Sequence, residues 1–465
     1  MPAFLQLLLN ELRQSLFQAL AVLLIALGVV FFLYRRHRVR HSDIPFPWKK
    51  TALILLLAAY LAVLSYATLQ RLGGMGASGI NLHPFHAWRE AWNHFSLTAW
   101  LNVLLNVALF VPLGILLPMI WKGFRKWYRM LAAGFGLSLW IELMQLAGGR
   151  GIFDIDDLSA NTLGAMLGFW LIGIVLGLWE KRWASAIRHG ILALVPLAAI
   201  SGIFLRYAAQ PYGNLPDAAT CRTNTRGITW TLSCELPSME PTLPIYALDL
   251  PTQAESDGLR DAFAQILGVE FERTDHYDES TMYMDQMGTP GQAHFLTVRR
   301  LDGTWEYSGI YDNRTPAQTD RATIEALLDR FGISIPAEAE FTYLHSGTHQ
   351  FSVDRLITGD TMLDGTLTCT YNTEGMLSEI TNRLITYTYS GQADVISPQE
   401  AYERLRSGEF TSYWFPQAAP DPVMVRSCTL AYRVDTKGFC QPVYLFEIAA
   451  GNSEYSETLL IPALK

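Results

Sequence analysis

Four acids, an arginine, a glutamine and an asparagine fall within one stretch, "ELMQLAGGRGIFDIDDLSANTLGAMLG", Glu142–Gly168, inside the most hydrophobic half of the chain. Glu142 and Gln145 are three apart and share a helix face; Asp157 and Asn161 are four apart and share another. Asp154 and Asp156 fall at or just before a helix N-terminus, where the positive end of the dipole favours carboxylates. Arg150 lies in the loop between those faces. Upstream, Asn102 and Asn106 repeat the four-residue spacing. Amides at Asn102, Asn106, Gln145 and Asn161 offer donors and acceptors suited to sugars or peptide amides. Arg150 can grip a phosphate or carboxylate. Glu142 can serve as a general acid or base, and Asp154, Asp156 and Asp157 carry the hard oxygens that Mg²⁺ or Ca²⁺ would use. Glu142 stands between Ile141 and Leu143 in an apolar helix, so it is expected to pair, most simply with Arg150, or else to carry a proton. A plainer reading stands beside this one. Asp156 and Asp157 would only cap a helix, Asn161 would bond a neighbouring helix, and Glu142–Arg150 would only lock the loop.

Membrane helices must position these groups. Six apolar runs are long enough to cross about 30 Å of hydrocarbon: Leu16–Tyr34, Thr51–Leu69, Ala99–Trp121, Tyr128–Ala147, Leu158–Trp179 and Gly190–Ala208. Loops 35–50, 122–129 and 180–189 hold 6, 4 and 3 Lys/Arg, whereas 1–15, 70–98 and 148–157 hold 1, 2 and 1. The positive-inside rule puts the first set in the cytoplasm. The polar cluster and everything after residue 209 are then expected outside. A five-span arrangement, with Leu16–Tyr34 lying differently, would invert only the N-terminus. "ANTLGAMLG" spaces Ala160, Gly164 and Gly168 four apart, a pattern that lets helices approach closely.

Composition breaks near residue 207. Met1–Arg206 carries 18 Lys and Arg against 8 Asp and Glu; Tyr207–Lys465 carries 17 against 35. All five cysteines (Cys221, Cys234, Cys369, Cys428 and Cys440) lie in the acidic half. That usage suits an oxidising compartment, and none has zinc-type spacing. Cys221 and Cys234 flank "RTNTRG" and are the expected disulfide, leaving an odd cysteine. "SPQEAYERL" predicts a helix capped by Ser397. "RATIEALLDRFG" predicts one ending at Gly332. Hairpins are predicted to turn at Asp302-Gly303 and near Thr436-Lys437, the second placing Cys428 opposite Phe446 or its neighbour and Cys440 near Arg433. The expected fold is therefore an all-α polytopic membrane helix bundle of about six spans, followed by a soluble α+β extracytoplasmic region. Its divisions are residues 1–70, 71–180, 181–209 and 210–465, with two modules split near 340.

The ordered segments "INLHPF", "LNVLLNVALFVPLG" and "IELMQLAGGRGIFDIDDLSANTLGAMLG" resemble the VanZ-like family, named for a teicoplanin-resistance membrane protein. The resemblance covers about Ile80–Gly173. The family pattern falls on Asn81, Pro84, Phe85, Asn102, Asn106, Pro112, Gly114, Glu142, Gln145, Arg150, Asp154, Asp157, Asn161, Gly164 and Gly168. His83 departs from it, standing where an aliphatic is usual. The likeness implies an integral membrane scaffold linked to lowered glycopeptide sensitivity, with no agreed reaction. "ISPQEAYERLRSGEF" with "LAYRVDTKGFCQPVYLFEI" is faintly similar to envelope-sensing modules of the YycH/YycI type.

Three functions follow. In the first, the cluster binds a polar headgroup, such as that of a cell-wall precursor lipid, and the acidic region meets wall or envelope proteins; this favours a binding protein over an enzyme. In the second, an enzyme acts on an envelope lipid with Glu142 as acid or base. In the third, the membrane half only anchors an envelope-sensing domain. Membrane lipids are the partners common to all three. His83, His86 and His94 sit beside Trp88 and Trp92 as interfacial histidines commonly do, and no metal is assigned to them. No phosphate loop, dinucleotide fingerprint or nucleophile elbow occurs, so no cofactor is expected. Nothing supports nucleic-acid binding.

Overall fold

The computed structural model describes residues 28, 30–32, 34–36, 46–69, 79–149, 151–248, 251–277, 280–285, 292–299, 302–311, 315–412, 422–450 and 456–465. The chain divides into two compact units, Leu7–Pro211 and a second containing Tyr212–Lys465.

In the first unit, five helices are long and apolar enough to cross a membrane: α1 (Trp48–Leu69), α3 (Leu97–Ile120), α4 (Trp127–Ala147), α5 (Ile155–Trp179) and α6 (Trp183–Ala209). The sixth expected span, Leu16–Tyr34, lies largely outside the described residues. A short helix, α2 (His86–His94), and two three-residue strands, β1 (Gly79–Asn81) and β2 (Ile152–Asp154), complete the unit. The helices are apolar on several sides. Inward, Phe110, Met130 and Ala165 are fully buried. Outward, Leu194, Val195 and Leu205 are 63%, 62% and 70% exposed, an apolar surface that hydrocarbon would cover.

Glycine governs the contact between α3 and α5. A Cβ at Gly164 would lie 1.9 Å from the Val107 carbonyl oxygen, one at Gly168 2.0 Å from that of Val111, and one at Gly114 2.0 Å from that of Ala165. No side chain fits there, so the two backbones touch directly. Pro112 sits within α3 and removes one helical donor, leaving the Ala108 carbonyl without its usual partner. The next carbonyl, Leu109, accepts a hydrogen bond from Tyr60 Oη of α1 at 2.8 Å.

The second unit is built on a 14-stranded, mostly antiparallel sheet. Its strands are β3 (Trp230–Leu232), β4 (Thr242–Leu248), β5 (Arg273–His276), β6 (Ser280–Met284), β7 (Gln292–Arg299), β8 (Trp305–Tyr311), β9 (Glu340–His345), β10 (Thr348–Thr358), β11 (Thr361–Tyr371), β12 (Leu377–Asn382), β13 (Ile385–Asp394), β14 (Val423–Val434), β15 (Phe439–Ala450) and β16 (Ser456–Pro462). Its helices are α7 (Gln253–Leu267), α8 (Arg321–Arg330) and α9 (Pro398–Arg406). The main path runs β3-β14-β15-β4-β13-β11-β12-β8-β7-β6-β5, with β16 added on β15 and β10 and β9 beyond β11. Caps fix the helix starts: Thr252 and Glu255 form a capping box on α7, Asp320 caps α8, and Ser397 Oγ accepts from Glu400 N on α9 at 3.1 Å. The β14–β15 hairpin pairs Cys428 with Phe446 and Val434 with Cys440.

Two findings depart from expectation. Phe263, Tyr307 and Ile324 share one core with Phe351, Leu367 and Ile380, so a division near residue 340 would cut through that core. The loop there looks like a linker, but strands from both of its sides pack on α7 and α8. Second, all five cysteines are free thiols, and no Cys221–Cys234 bridge is formed. Thr223 N, two residues after Cys221, donates to Gly408 O at 2.8 Å, whereas Ser233 N, beside Cys234, donates to Val425 O at 3.0 Å. The symmetric flanks in the sequence lead to different places, one to the turn after α9 and the other to β14.

Candidate functional site

The polar residues meet where β1 pairs with β2. That pairing is parallel and sets Gly79 against Ile152, Ile80 against Phe153 and Asn81 against Asp154. It brings the segment before α2 alongside the segment before α5.

Asp154 is the N-cap of α5, its Oδ1 accepting from Asp156 N at 2.8 Å. Its other oxygen accepts from Asn81 Nδ2 at 3.0 Å. Asn81 Oδ1 in turn accepts from His83 N at 3.1 Å. Asp156, 4% exposed, stands in the first turn of α5 but reaches across to α2. Its two oxygens accept from Phe85 N at 2.7 Å and Ala87 N at 2.8 Å. Phe85 is the N-cap of α2 with φ 64°, a left-handed conformation uncommon outside glycine, and the Asp156 bond holds it there. These two aspartates therefore spend their oxygens on protein donors and fix the geometry where β1 and α2 meet the start of α5.

Glu142 lies near the C-terminal end of α4 and is 2% exposed. Its Oε2 accepts from Asp154 N at 3.1 Å, and its second oxygen has no hydrogen-bond partner among the described residues. Asp154 and Asp157 are within electrostatic range of it. Asn106 on α3 donates Nδ2–H to Asp157 Oδ1 in a short hydrogen bond. One turn deeper, Asn161 Nδ2 donates to Ser138 Oγ at 2.9 Å, both groups buried. Around these groups, Ile80, Leu82, Phe85 and Ile152 are 64%, 60%, 63% and 50% exposed, an apolar rim about a polar centre.

The structure thus brings together Asn106, Glu142, Asp154, Asp157 and Asn161. It does not bring in two of the expected residues. Asn102, one turn nearer the start of α3 than Asn106, is exposed and makes no hydrogen bond among the described residues. Gln145 turns away and donates Nε2–H to Thr68 O of α1 at 2.8 Å. Arg150, and with it the Glu142–Arg150 pair, lies outside the described residues. Among the described residues, no group of three or more His, Cys, Asp or Glu is arranged to hold a metal. Ser138 and the backbone amides of Phe85 and Ala87 were not anticipated. Ser138 had a signal, since it stands four residues before Glu142 on the same face.

The arrangement is that of a polytopic helical membrane protein with hydrogen-bonded polar tips of three spans, α3, α4 and α5, drawn together at one end. Residues 19–176 match the VanZ/LLP1 family model. Protein VanZ of Enterococcus faecium is 33% identical over 124 residues, covering 26% of this chain and 72% of that protein. The chain belongs to the VanZ family. Among solved structures, an uncharacterized protein from Eubacterium rectale aligns at 9% identity over 53% of this chain and 90% of its own, with a TM-score of 0.27. The YpeB C-terminal domain of Bacillus megaterium aligns at 10% identity over 46% and 99%, with a TM-score of 0.21. Scores of that size leave both as partial likenesses.

Proposed function

We propose that this VanZ-family membrane protein binds the polar head of an envelope lipid, of the cell-wall precursor class, at the polar tips of α3, α4 and α5, and thereby alters glycopeptide sensitivity. The observation that carries this is Glu142. It is a buried side chain in an apolar helix, held by one oxygen to Asp154 N and with no partner for the other among the described residues. A buried carboxylate with an unspent acceptor suits a ligand bearing hydroxyl, amide or ammonium donors. The apolar rim formed by Ile80, Leu82, Phe85 and Ile152 suits the adjoining lipid chain. Arg150, in the same loop, is assigned the headgroup phosphate or carboxylate.

In this reading the tips lie at the outer leaflet and the β-rich unit lies outside the cell, where it meets wall or envelope proteins. The Lys/Arg bias of the loops supports that orientation. The test uses full-length protein in nanodiscs and a fluorescent polyprenyl-diphosphate-linked muropeptide. Wild type retains the lipid. Glu142→Gln, which keeps an acceptor for Asp154 N, and Arg150→Ala each weaken retention about tenfold, or about 1.4 kcal/mol. Retention equal to wild type in both overturns the reading. The same unspent oxygen on Glu142 favours one alternative, acid or base catalysis on that lipid. Chemical change of the bound lipid by wild type and not by Glu142→Gln would select it.

A further inference from the structure

A second site lies at the opposite end of the membrane unit, where α1 and α4 begin and α3 ends. A cavity of about 790 Å³ opens there, with Lys50, Lys122 and Arg129 among its lining residues. Its floor is apolar: Leu117 and Ile120 are 8% and 7% exposed, with Phe124 and Trp121 beside them.

The charges are the informative part. Arg125, in the same short turn (Lys122–Arg125), is already engaged, pairing with Glu180 at 3.1 Å and donating to Pro118 O at 3.3 Å. Glu180 also pairs with Arg182. Lys50, Lys122 and Arg129 have no acidic partner among the described residues, and no acid lines the cavity. The first turns of α1 and α4 contain no acid either, so no acid within those turns offsets the positive ends of two long helices there. Three cations lining one cavity with no counter-charge among the described residues repel one another, and an anion would relieve that repulsion. The surroundings say where it comes from. Trp48, Trp121 and Trp127 are 56%, 39% and 61% exposed at this end, as aromatic side chains are at a membrane–water boundary.

We infer that this cavity is an anionic phospholipid site. The phosphate of a membrane lipid sits among Lys50, Lys122 and Arg129, and the start of its acyl chains lies along Trp121, Phe124 and Ile120. The recognised chemistry is a phosphate anion; the apolar floor and the aromatic boundary favour a lipid over a soluble phosphate. The site is separate from the polar tips, since Asn106 and Ile120 lie about 21 Å apart along α3.

The experiment titrates full-length protein in neutral detergent with short-chain phosphatidylglycerol, phosphatidylcholine or glycerol phosphate, counting bound molecules by native mass spectrometry. The test variant is Lys50→Gln/Lys122→Gln/Arg129→Gln. A second variant, Lys49→Gln/Lys126→Gln/Lys181→Gln, removes equal charge from the same side of the bundle without touching the cavity lining. The expected result is selective phosphatidylglycerol binding, weakened roughly fivefold for each lining charge lost and on the order of 100-fold in the triple variant. The second variant should keep most of its affinity, and both should match wild type in thermal stability. Equal binding by the two triple variants overturns the site. Glycerol phosphate competing on equal terms with phosphatidylglycerol overturns its assignment to lipid. A loss of thermal stability confined to the test variant calls for the single changes; a single lining change that leaves both stability and phosphatidylglycerol affinity at wild type then overturns that residue's role.

Discussion

Asp156 makes the most exacting prediction about the junction of α2 and α5. Its carboxylate accepts from two backbone amides, Phe85 N at 2.7 Å and Ala87 N at 2.8 Å. Hydrogen bonds to a charged acceptor contribute about 1.5–3 kcal/mol each, so the pair is worth about 3–6 kcal/mol to local order. Asp156→Ala removes both and leaves two amides without a partner. Asp156→Asn keeps one oxygen but turns an NH₂ donor toward one of the same amides, and should cost at least half as much. A local loss of about 3 kcal/mol corresponds to exchange on the order of 100-fold faster. Hydrogen–deuterium exchange on full-length protein in nanodiscs, resolved to the peptide covering Phe85–Ala87, reads this directly. Asp157→Asn is the control, since Asp157 accepts from Asn106 on α3. Exchange at Phe85 and Ala87 unchanged in Asp156→Ala would refute the reasoning, as would an equal effect in Asp157→Asn.

Other expectations follow from the same geometry. Gly164→Ala puts a methyl 1.9 Å from Val107 O, so thermal stability and yield should fall sharply; Gly136→Ala meets nothing within 4 Å and should be neutral or gain up to about 1 kcal/mol from helix propensity. Ser397→Ala removes the cap of α9 and should cost about 1 kcal/mol in denaturant unfolding of the second unit. Burial pushes the Cys369 and Cys440 thiols up to about 12, so both should resist maleimide at pH 8 in native protein, and unfolding should release five reactive thiols per chain; three would mean that a bridge forms. Because those two pKa values are raised on folding, stability should hold below about pH 9 and decline from there toward pH 12, as unfolded thiols ionise and native ones do not.

Much of this architecture was legible in the chain. The apolar runs from Thr51 onward mark the membrane helices to within a few residues, except that α6 begins seven residues earlier, at Trp183. The glycine at Gly332 and the serine at Ser397 mark helix ends because capping is local chemistry. Hairpin register was legible for the same reason, as one turn fixes every pair after it. What stayed hidden depends on contacts remote in sequence. The β1–β2 pairing joins two three-residue segments more than 70 residues apart, too short to show a period. Asp156 reads as a helix cap until α2 is seen beside it. Gln145 shares a face with Glu142 by spacing, yet its amide donates to Thr68 O on α1, a partner 77 residues away in sequence. The large sheet orders its strands by pairings that no local pattern encodes.

The glycine contact between α3 and α5 restricts how the membrane unit can move. With carbonyls seated where side chains would normally interlock, neither helix can slip along or roll over the other without driving a peptide group into its neighbour. The two must travel as one girder. Any rearrangement of the bundle must therefore happen around that girder rather than within it.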